Sequence, residues 1–349
     1  MSISLEELQL AARNHGTPLE ALRHEITPLG LHYLLTHYDI PVVDPASWRL
    51  TVGGRVEREL ELSLDDLRAR EAVTVPITME CAGNGRAQLE PHVVSQPWLV
   101  EAVGTAEWTG IPLAPLLAEA GLAADALEVV FTGLDRGVEG GVEQLYERSL
   151  SLADAEHGLL AYACNGEPLP SQHGFPLRLV VPDWYGMTSV KWLQRITVVA
   201  EPFEGYQMVT GYRMRRDEDD PGTPVTLIEP RSLMVPPGIP DFMTRRRFVT
   251  PGRVRLEGRA WSGWGPIERV ELSVDGGAWQ PASVGDPLGP AAWAPWWTDW
   301  DATEGEHELR VRATDATGRG QPDAPPWNVG GYANNAVQRV TVTVARSEG

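Results

Sequence analysis

Thr78-Met79-Glu80-Cys81-Ala82-Gly83-Asn84-Gly85-Arg86 is the stretch from which the architecture of this chain is read. An apolar, β-branched run, Val73-Thr74-Val75-Pro76-Ile77, leads into it, so a strand delivers Cys81 to a turn. Gly83 and Gly85 follow, and glycine takes φ > 0 and lets another body come close to the backbone. The amide of Asn84 and the guanidinium of Arg86 make the corner polar and electropositive. That favours a thiolate, which is a ligand for soft or borderline metals. The same residues also fit a buried, inert cysteine, a common state of the free thiol. Taken alone, the loop leaves both readings open.

Outside the loop, a length of 349 residues suggests two domains. A hydrophobic content of 42% with 22% charged residues describes a globular chain that can bury a substantial core. The formal net charge of −19 argues against nucleic acid or an anionic membrane surface as a partner. A small anionic substrate would therefore need a local basic pocket. Cys81 and Cys164 are too few for a four-cysteine zinc site or an iron–sulfur cluster, and no C-x-x-C-H marks an attached haem. No G-x-G-x-x-G follows a strand, and neither a P-loop nor a G-x-S-x-G elbow occurs. The segment Met1 to Glu7 shows no basic and apolar leader, and no run of about eighteen apolar residues occurs. The expectation is a cytoplasmic protein.

In chain order, Ser4 and Glu7 form a capping box for a helix that Gly16 stops. His32 and His37 fall in an aromatic segment, residues 26–38, at a spacing that suits neither face of a helix. A two-histidine metal site is not indicated, and each histidine alone reads as a structural hydrogen-bonding residue. A strand and turn span 48–54, Ser63 caps a second helix, and a third runs from Pro112 to Gly121. Strands are expected over 127–132, 159–164, 177–181 and 190–199. Without regular βαβ repetition this is an α+β arrangement. Residues 217–252 are crowded with Pro221, Pro224, Pro230, Pro236, Pro237, Pro240 and Pro251 and read as an irregular linker. Arg245-Arg246-Arg247 within it reads as solvated surface or as a basic rim. Beyond it, polar and apolar residues alternate over 253–261, 270–274, 309–313 and 339–344, with an Asp275-Gly276-Gly277 hairpin turn. This is the pattern of an immunoglobulin-like sandwich. Eight of the thirteen tryptophans lie here, more than one small sandwich core holds. Some should therefore bury against the first domain or a second subunit. The division expected is 1–225 and 226–349.

Together these blocks resemble the sulfite oxidase family of molybdopterin-dependent oxidoreductases over most of the chain. The loop Cys81 to Arg86 is similar to that family's molybdenum-ligand loop. The segments 161–170, His173-Gly174-Phe175-Pro176-Leu177-Arg178, and Gly186 through Leu193 are similar to its pterin-binding half. Ala260-Trp261-Ser262-Gly263, residues 275–279, Gln321-Pro322 and Pro326-Trp327-Asn328 resemble its dimerisation domain. The resemblance implies a mixed α/β molybdopterin-binding domain followed by the sandwich, a homodimer, and molybdenum held by Cys81 and a pyranopterin dithiolene. The protein supplies binding, orientation and electrostatics for that group. By position it implies cofactor contacts at Tyr33, His37, Asp135, His173, Arg178, Ser189, Val190 and Lys191. It implies active-site roles for Arg86, Trp98, Tyr212 and Arg339, residues suited to a small oxyanion. Read without the family, Arg178, Lys191 and Arg339 are strand-face residues and Asp135 a turn residue.

Two positions depart from the family. Leu35 stands where the family usually carries a sulfite-binding Arg, two residues before His37, and Gly85 where many relatives carry a second basic residue. Losing a desolvated cation weakens sulfite binding by about 1–3 kcal/mol. The implied reaction is sulfite oxidation by oxygen-atom transfer, with an external electron acceptor. The alternatives are reduction of a sulfoxide, N-oxide or nitrate, and a cofactor-less binding protein using the tryptophan-rich sandwich.

Overall fold

The structure is a computed structural model and describes residues 3–325 and 327–346. Met1, Ser2, Pro326 of the Pro326-Trp327-Asn328 motif and Ser347 to Gly349 lie outside the described residues. The first helix, Leu5–Arg13, begins at the Ser4 and Glu7 capping box. It ends before Gly16, because the Asn14 side chain turns back to the Leu10 carbonyl at 3.1 Å. Ser63 caps Leu64–Arg68 with Asp66 as its reciprocal partner. Gly121, at φ 70°, ends Leu113–Ala120, where a side chain would be strained.

The first part of the chain builds two five-stranded sheets and a two-stranded ribbon, Arg213–Met214 with Thr223–Pro224. One has the strand order Leu60–Leu62, Leu50–Gly54, Leu193–Val199, Glu128–Glu139 and Val142–Ser151. Only Leu50–Gly54 and Leu193–Val199 run parallel in it. Leu50, Phe131, Ile196 and Leu116 pack in its core with essentially no exposed surface. Burying each contributes roughly 1.5–3 kcal/mol. The strand expected over 127–132 continues to Glu139 and folds back through Gly140-Gly141, both at positive φ, into Val142–Ser151. The second sheet joins Val73–Glu80, Val103–Pro112, Leu159–Cys164 and Glu167–Pro168, with Arg178–Val180 also paired to Leu159–Cys164. Val103–Pro112 was not expected as a strand. Its register against Val73–Glu80 is continuous from Val73↔Gly110 to Glu80↔Val103, so Cys81 emerges at the end of a fully paired strand.

The second part is an immunoglobulin-like sandwich. Arg231–Met234, Gly252–Trp261, Ala294–Ala302 and Ser283–Val284 form one sheet. The other consists of Ile239–Pro240, Arg247–Val249, Gln338–Val344, Gly305–Asp315, Ile267–Val274 and Gln280–Pro281. Leu256, Trp296, Val311 and Val342 fill the space between them.

The proline-rich stretch is not the irregular linker expected. Its prolines fall between short strands or, as Pro224 and Pro240 do, at their ends, leaving Arg231–Met234 wholly buried and paired along Gly252–Trp261. Of the basic triplet, Arg245 and Arg246 are exposed, as the solvated reading expects, and Arg247 alone is buried. Arg247 is 4% exposed, takes the carbonyls of Pro236, Pro237 and Gly238, and pairs with Glu20 at 3.0 Å. Arg245 reaches the same Glu20, and Arg246 reaches Glu306.

The surplus tryptophans join the two parts. Trp293 Nε1 donates to the Glu25 carbonyl, Trp327 Nε1 to the Pro91 carbonyl, and Trp261 Nε1 to Glu80 Oε2 at 2.7 Å. Among the described residues no helix is long and apolar enough to cross a membrane. Cys81 and Cys164 are both free and buried.

Candidate active site

The Cys81 loop is held from both sides. Cys81 N–H donates to the Ala102 carbonyl at 2.9 Å, and the turn closes through Asn84 N–H to the Cys81 carbonyl and Arg86 N–H to the Gly83 carbonyl. Asn84 braces it with Oδ1 to Ala102 N–H and Nδ2 to the Val100 carbonyl and Glu80 Oε1. Glu80 is completely buried and 2.8 Å from Arg231 Nε. The N–H does not point along that contact, so it is an ion pair more than a directed bond. From the sandwich side, Ala333 N–H reaches the Ala82 carbonyl and Asn334 Nδ2 the Gly85 carbonyl. Gly85 has φ 89°, and a Cβ there would stand 2.9 Å from Asn334 Nδ2. This explains the missing second basic residue: no side chain fits.

Cys81 opens onto a cavity with about 650 Å³ of atom-free space, its mouth included. Of the residues expected at the site, Tyr33, His37, Cys81, Asp135, His173, Arg178, Ser189, Lys191 and Tyr212 all line it, and so does Leu35. These come from six separate segments, and the two sheets bring them together.

One end of the cavity is cationic. Arg178 is 4% exposed, lies 4.8 Å over the Trp108 ring and gives hydrogen bonds to the His173 and Ser189 carbonyls. Burial pushes it down to about 10. Lys191 sends Nζ to the carbonyls of Leu35 and Gln172, and burial lowers its pKa while Asp135 opposes that. Burial raises the Asp135 carboxyl and holds His173 and His32 neutral. Arg178 Nε, Asp135 Oδ1, His32 Nε2 and Thr188 Oγ1 are buried with no partner. Buried polar atoms are normally paired, so this cluster matches a ligand that brings an anionic group and several donors and acceptors.

The other end is phenolic. Tyr146 donates to the Met187 carbonyl at 2.7 Å, and the ring of Tyr212, at φ 51°, lies 5.2 Å from that of Tyr332 at a tilt of 34°. Burial raises both Tyr146 and Tyr212, so their hydroxyls stay protonated donors. His37 lies 5.2 Å from the Tyr146 ring and 3.1 Å from Glu139 Oε2, which also accepts from Tyr38 and Gln207.

Four expected residues lie off the cavity wall. Val190 has its side chain in the sheet core and meets the site only through backbone bonds to Thr188 and Leu179. Arg86 is folded under its own loop, bonded to the Gly330 and Gln96 carbonyls and 5.3 Å over Tyr332. From there its charge favours the Cys81 thiolate, as do the Gly83 N–H and Trp98. Burial pulls the thiol the other way and leaves it raised. Trp98 packs behind Cys81 with Nε1 unpartnered. Arg339 does not line the Cys81 cavity. It is an exposed residue of Gln338–Val344, opposite Arg310, bonded to Glu308 at 3.3 Å and facing a different groove. The strand-face reading of its alternating stretch places it correctly. Tyr146, Arg148 and Tyr332 also stand at the site and carry no local signal in the sequence. The first two look like members of an ordinary alternating strand, and Tyr332 sits in coil.

The residues present fit a molybdopterin: a lone cysteine sulfur at a cavity with one cationic, donor-rich end. A thiolate sulfur is one ligand, and no group of three or more His, Cys, Asp or Glu that could hold a metal by themselves occurs among the described residues. Fold and site thus define a molybdopterin-binding oxidoreductase. Residues 37–207 match the oxidoreductase molybdopterin binding domain and residues 231–345 the Mo-co oxidoreductase dimerisation domain. Sulfite oxidase of Gallus gallus is 36% identical, covering 93% of this chain and 75% of its own. Nitrate reductase [NAD(P)H] of Hordeum vulgare is 32% identical, covering 95% of this chain and 41% of its own. The solved structure of the sulfane dehydrogenase SoxCD from Paracoccus pantotrophus superposes with a TM-score of 0.80 at 28% identity, covering 95% of this chain and 86% of that one. The chain belongs to the sulfite oxidase family of molybdopterin-dependent oxidoreductases. It spans about 64% of the length of the mitochondrial sulfite oxidases it matches.

Proposed function

We propose that this chain catalyses two-electron oxygen-atom transfer, with oxidation of sulfite to sulfate as its reaction, and that it acts as a homodimer through the sandwich domain. One observation carries the reading. A cysteine sulfur, a cluster of buried cations and a pair of neutral phenols share a single cavity. Cys81 would hold the molybdenum. Arg178 and Lys191, with Asp135, His173 and Ser189, would hold the anionic pterin end. When bound, the cofactor supplies oxygen-atom exchange coupled to two electrons.

The chain's own residues then bind and orient. Tyr212 keeps its hydroxyl proton and donates toward an oxyanion, Tyr146 stays tied to the Met187 carbonyl beside it, and Arg86 adds positive potential behind the loop. Trp98, Met79 and Tyr33 close the cysteine off from bulk water. Sulfite and water give sulfate, two protons and two electrons, and the electrons pass to an external acceptor. The dimer reading is supported by the match of residues 231–345, and by Ile239, Phe242 and Met243 standing exposed at the edge of the sandwich.

Leu35 favours a second reading. It gives the cavity an aliphatic wall, which suits a less charged sulfoxide or N-oxide reduced at the same centre, and nitrate reductases are among the relatives. The test is metal analysis of protein made with a competent cofactor pathway, followed by sulfite-dependent ferricyanide reduction and viologen-driven reduction of a sulfoxide or nitrate. About one molybdenum per chain and sulfite turnover are expected. Protein free of molybdenum would discard the reaction. Viologen oxidation without sulfite turnover would install the second reading.

A further inference from the structure

Arg148 lies two residues after Tyr146 in Val142–Ser151, so both side chains leave the same face of the strand. Tyr146 reaches the cavity wall, and Arg148 stands one layer behind it, 2% exposed. Its guanidinium carbon is 5.6 Å from the Tyr212 ring centroid. Among the described residues its one hydrogen bond runs from Nη1 to the Gln207 carbonyl, and Nε is buried without an acceptor. The titratable groups around it are Tyr146, Tyr212 and Tyr332, and no carboxylate is among them.

The other buried arginines show how unusual this is. Arg231 pairs with Glu80, and Arg247 with Glu20. Arg259 takes the Leu22 and Arg23 carbonyls and lies within the field of Glu25 and Glu257. Those without a carboxylate are Arg86, Arg148 and Arg178, and all three gather at the Cys81 cavity. Arg178 serves its cationic end. Arg86 and Arg148 flank its phenolic end, beneath Tyr332 and Tyr212, whose rings are 5.2 Å apart. A desolvated guanidinium without a counter-charge is costly unless an anion arrives to meet it.

We propose that Arg148 is a positioning cation of the substrate pocket. Acting through Tyr212, it sets the positive potential and the donor orientation that hold an oxyanion, and supplies charge that Leu35 does not. The inference rests on the oxyanion reading above.

Holoenzyme carrying Arg148→Met, Arg148→Gln or Arg148→Lys tests it. The Gln variant keeps a donor for the Gln207 carbonyl, so a neutral variant remains if Met prevents folding. The readouts are sulfite KM and kcat, and competitive inhibition by sulfate. Removing the charge should raise the sulfite KM and the sulfate inhibition constant together, about tenfold or more, with kcat within about threefold. Arg148→Lys should recover most of the KM. Unchanged KM and sulfate inhibition in both neutral variants would overturn the inference. So would a loss that appears equally in Met, Gln and Lys and follows melting temperature. Wild-type enzyme that turns over a sulfoxide but neither oxidises sulfite nor binds sulfate would overturn the oxyanion reading, and this inference with it.

Discussion

The two ends of the Cys81 cavity carry positive charge in different ways. At the Arg178 end, Arg178 and Lys191 stand on the wall beside unpaired donors and acceptors. At the Tyr212 end, the wall is phenol and aliphatic surface, and the guanidinium groups of Arg86 and Arg148 lie behind it. Direct contact suits a ligand that must never leave. A charge screened by one layer of neutral donors attracts an anion without trapping it, as turnover requires. The difference is therefore one of residence time, written as the depth at which charge is buried.

The strongest way to break the comparison is to remove the sulfur that both ends serve. Cys81→Ser should lower turnover by at least about a thousandfold while leaving circular dichroism unchanged. Residual turnover near wild type would show that neither end matters. Next in size is Arg231→Met, which strands Glu80 as a buried, unpaired charge. Stability should fall by about 3–5 kcal/mol in denaturant titration. Because the sandwich reaches the Cys81 loop directly through Ala333 and Asn334, sulfite KM should suffer more than molybdenum content. Arg178→Met sharpens the other side. Molybdenum retained after dialysis should drop, with cofactor affinity down about ten- to hundredfold, while KM in the remaining loaded enzyme stays put. Leu35→Arg places a charge directly on the wall and should lower sulfite KM about tenfold, with slower release of sulfate. An unchanged KM would move the substrate end elsewhere.

The smallest effect expected is pH-linked. Burial would raise the Glu139 carboxyl, but the bonds from His37, Tyr38 and Gln207 outweigh it and hold it down to about 2. A lowered carboxylate stabilises the fold above its unfolded pKa, and that stability is lost as pH falls through the folded value. Glu139→Gln should therefore cost about 1 kcal/mol at neutral pH, allowing for the group's partial exposure. The gap should close between pH 4.5 and about 2, read by urea unfolding at each pH.

Much of this was legible in the chain because the signals are local. A strand, a cysteine and two turn glycines announce the loop, and Ser4 and Ser63 announce their helices. The alternation of 253–261 and 309–313 announces the sandwich. What escaped depends on packing between distant segments. Alternation cannot distinguish Arg148, buried behind a tyrosine, from Arg339, exposed beside Glu308, since both sit in period-two strands. Seven prolines masked Arg231–Met234, although none of them falls within that strand. The role of Tyr332 depends on a coil whose shape is set by Asn328 and Asn334.

The ion pair between Glu80 and Arg231 fixes how this protein can be taken apart. The carboxylate precedes Cys81 by one residue, and its counter-charge is carried 151 residues later, in the opening strand of the sandwich. A first domain excised before that strand keeps Arg178 and Lys191 on its cavity wall but opens a bare anion to water beneath the Cys81 sulfur. Chimeras that exchange the carboxy-terminal module with a relative will succeed only where Arg231, Trp261 and Asn334 travel with it.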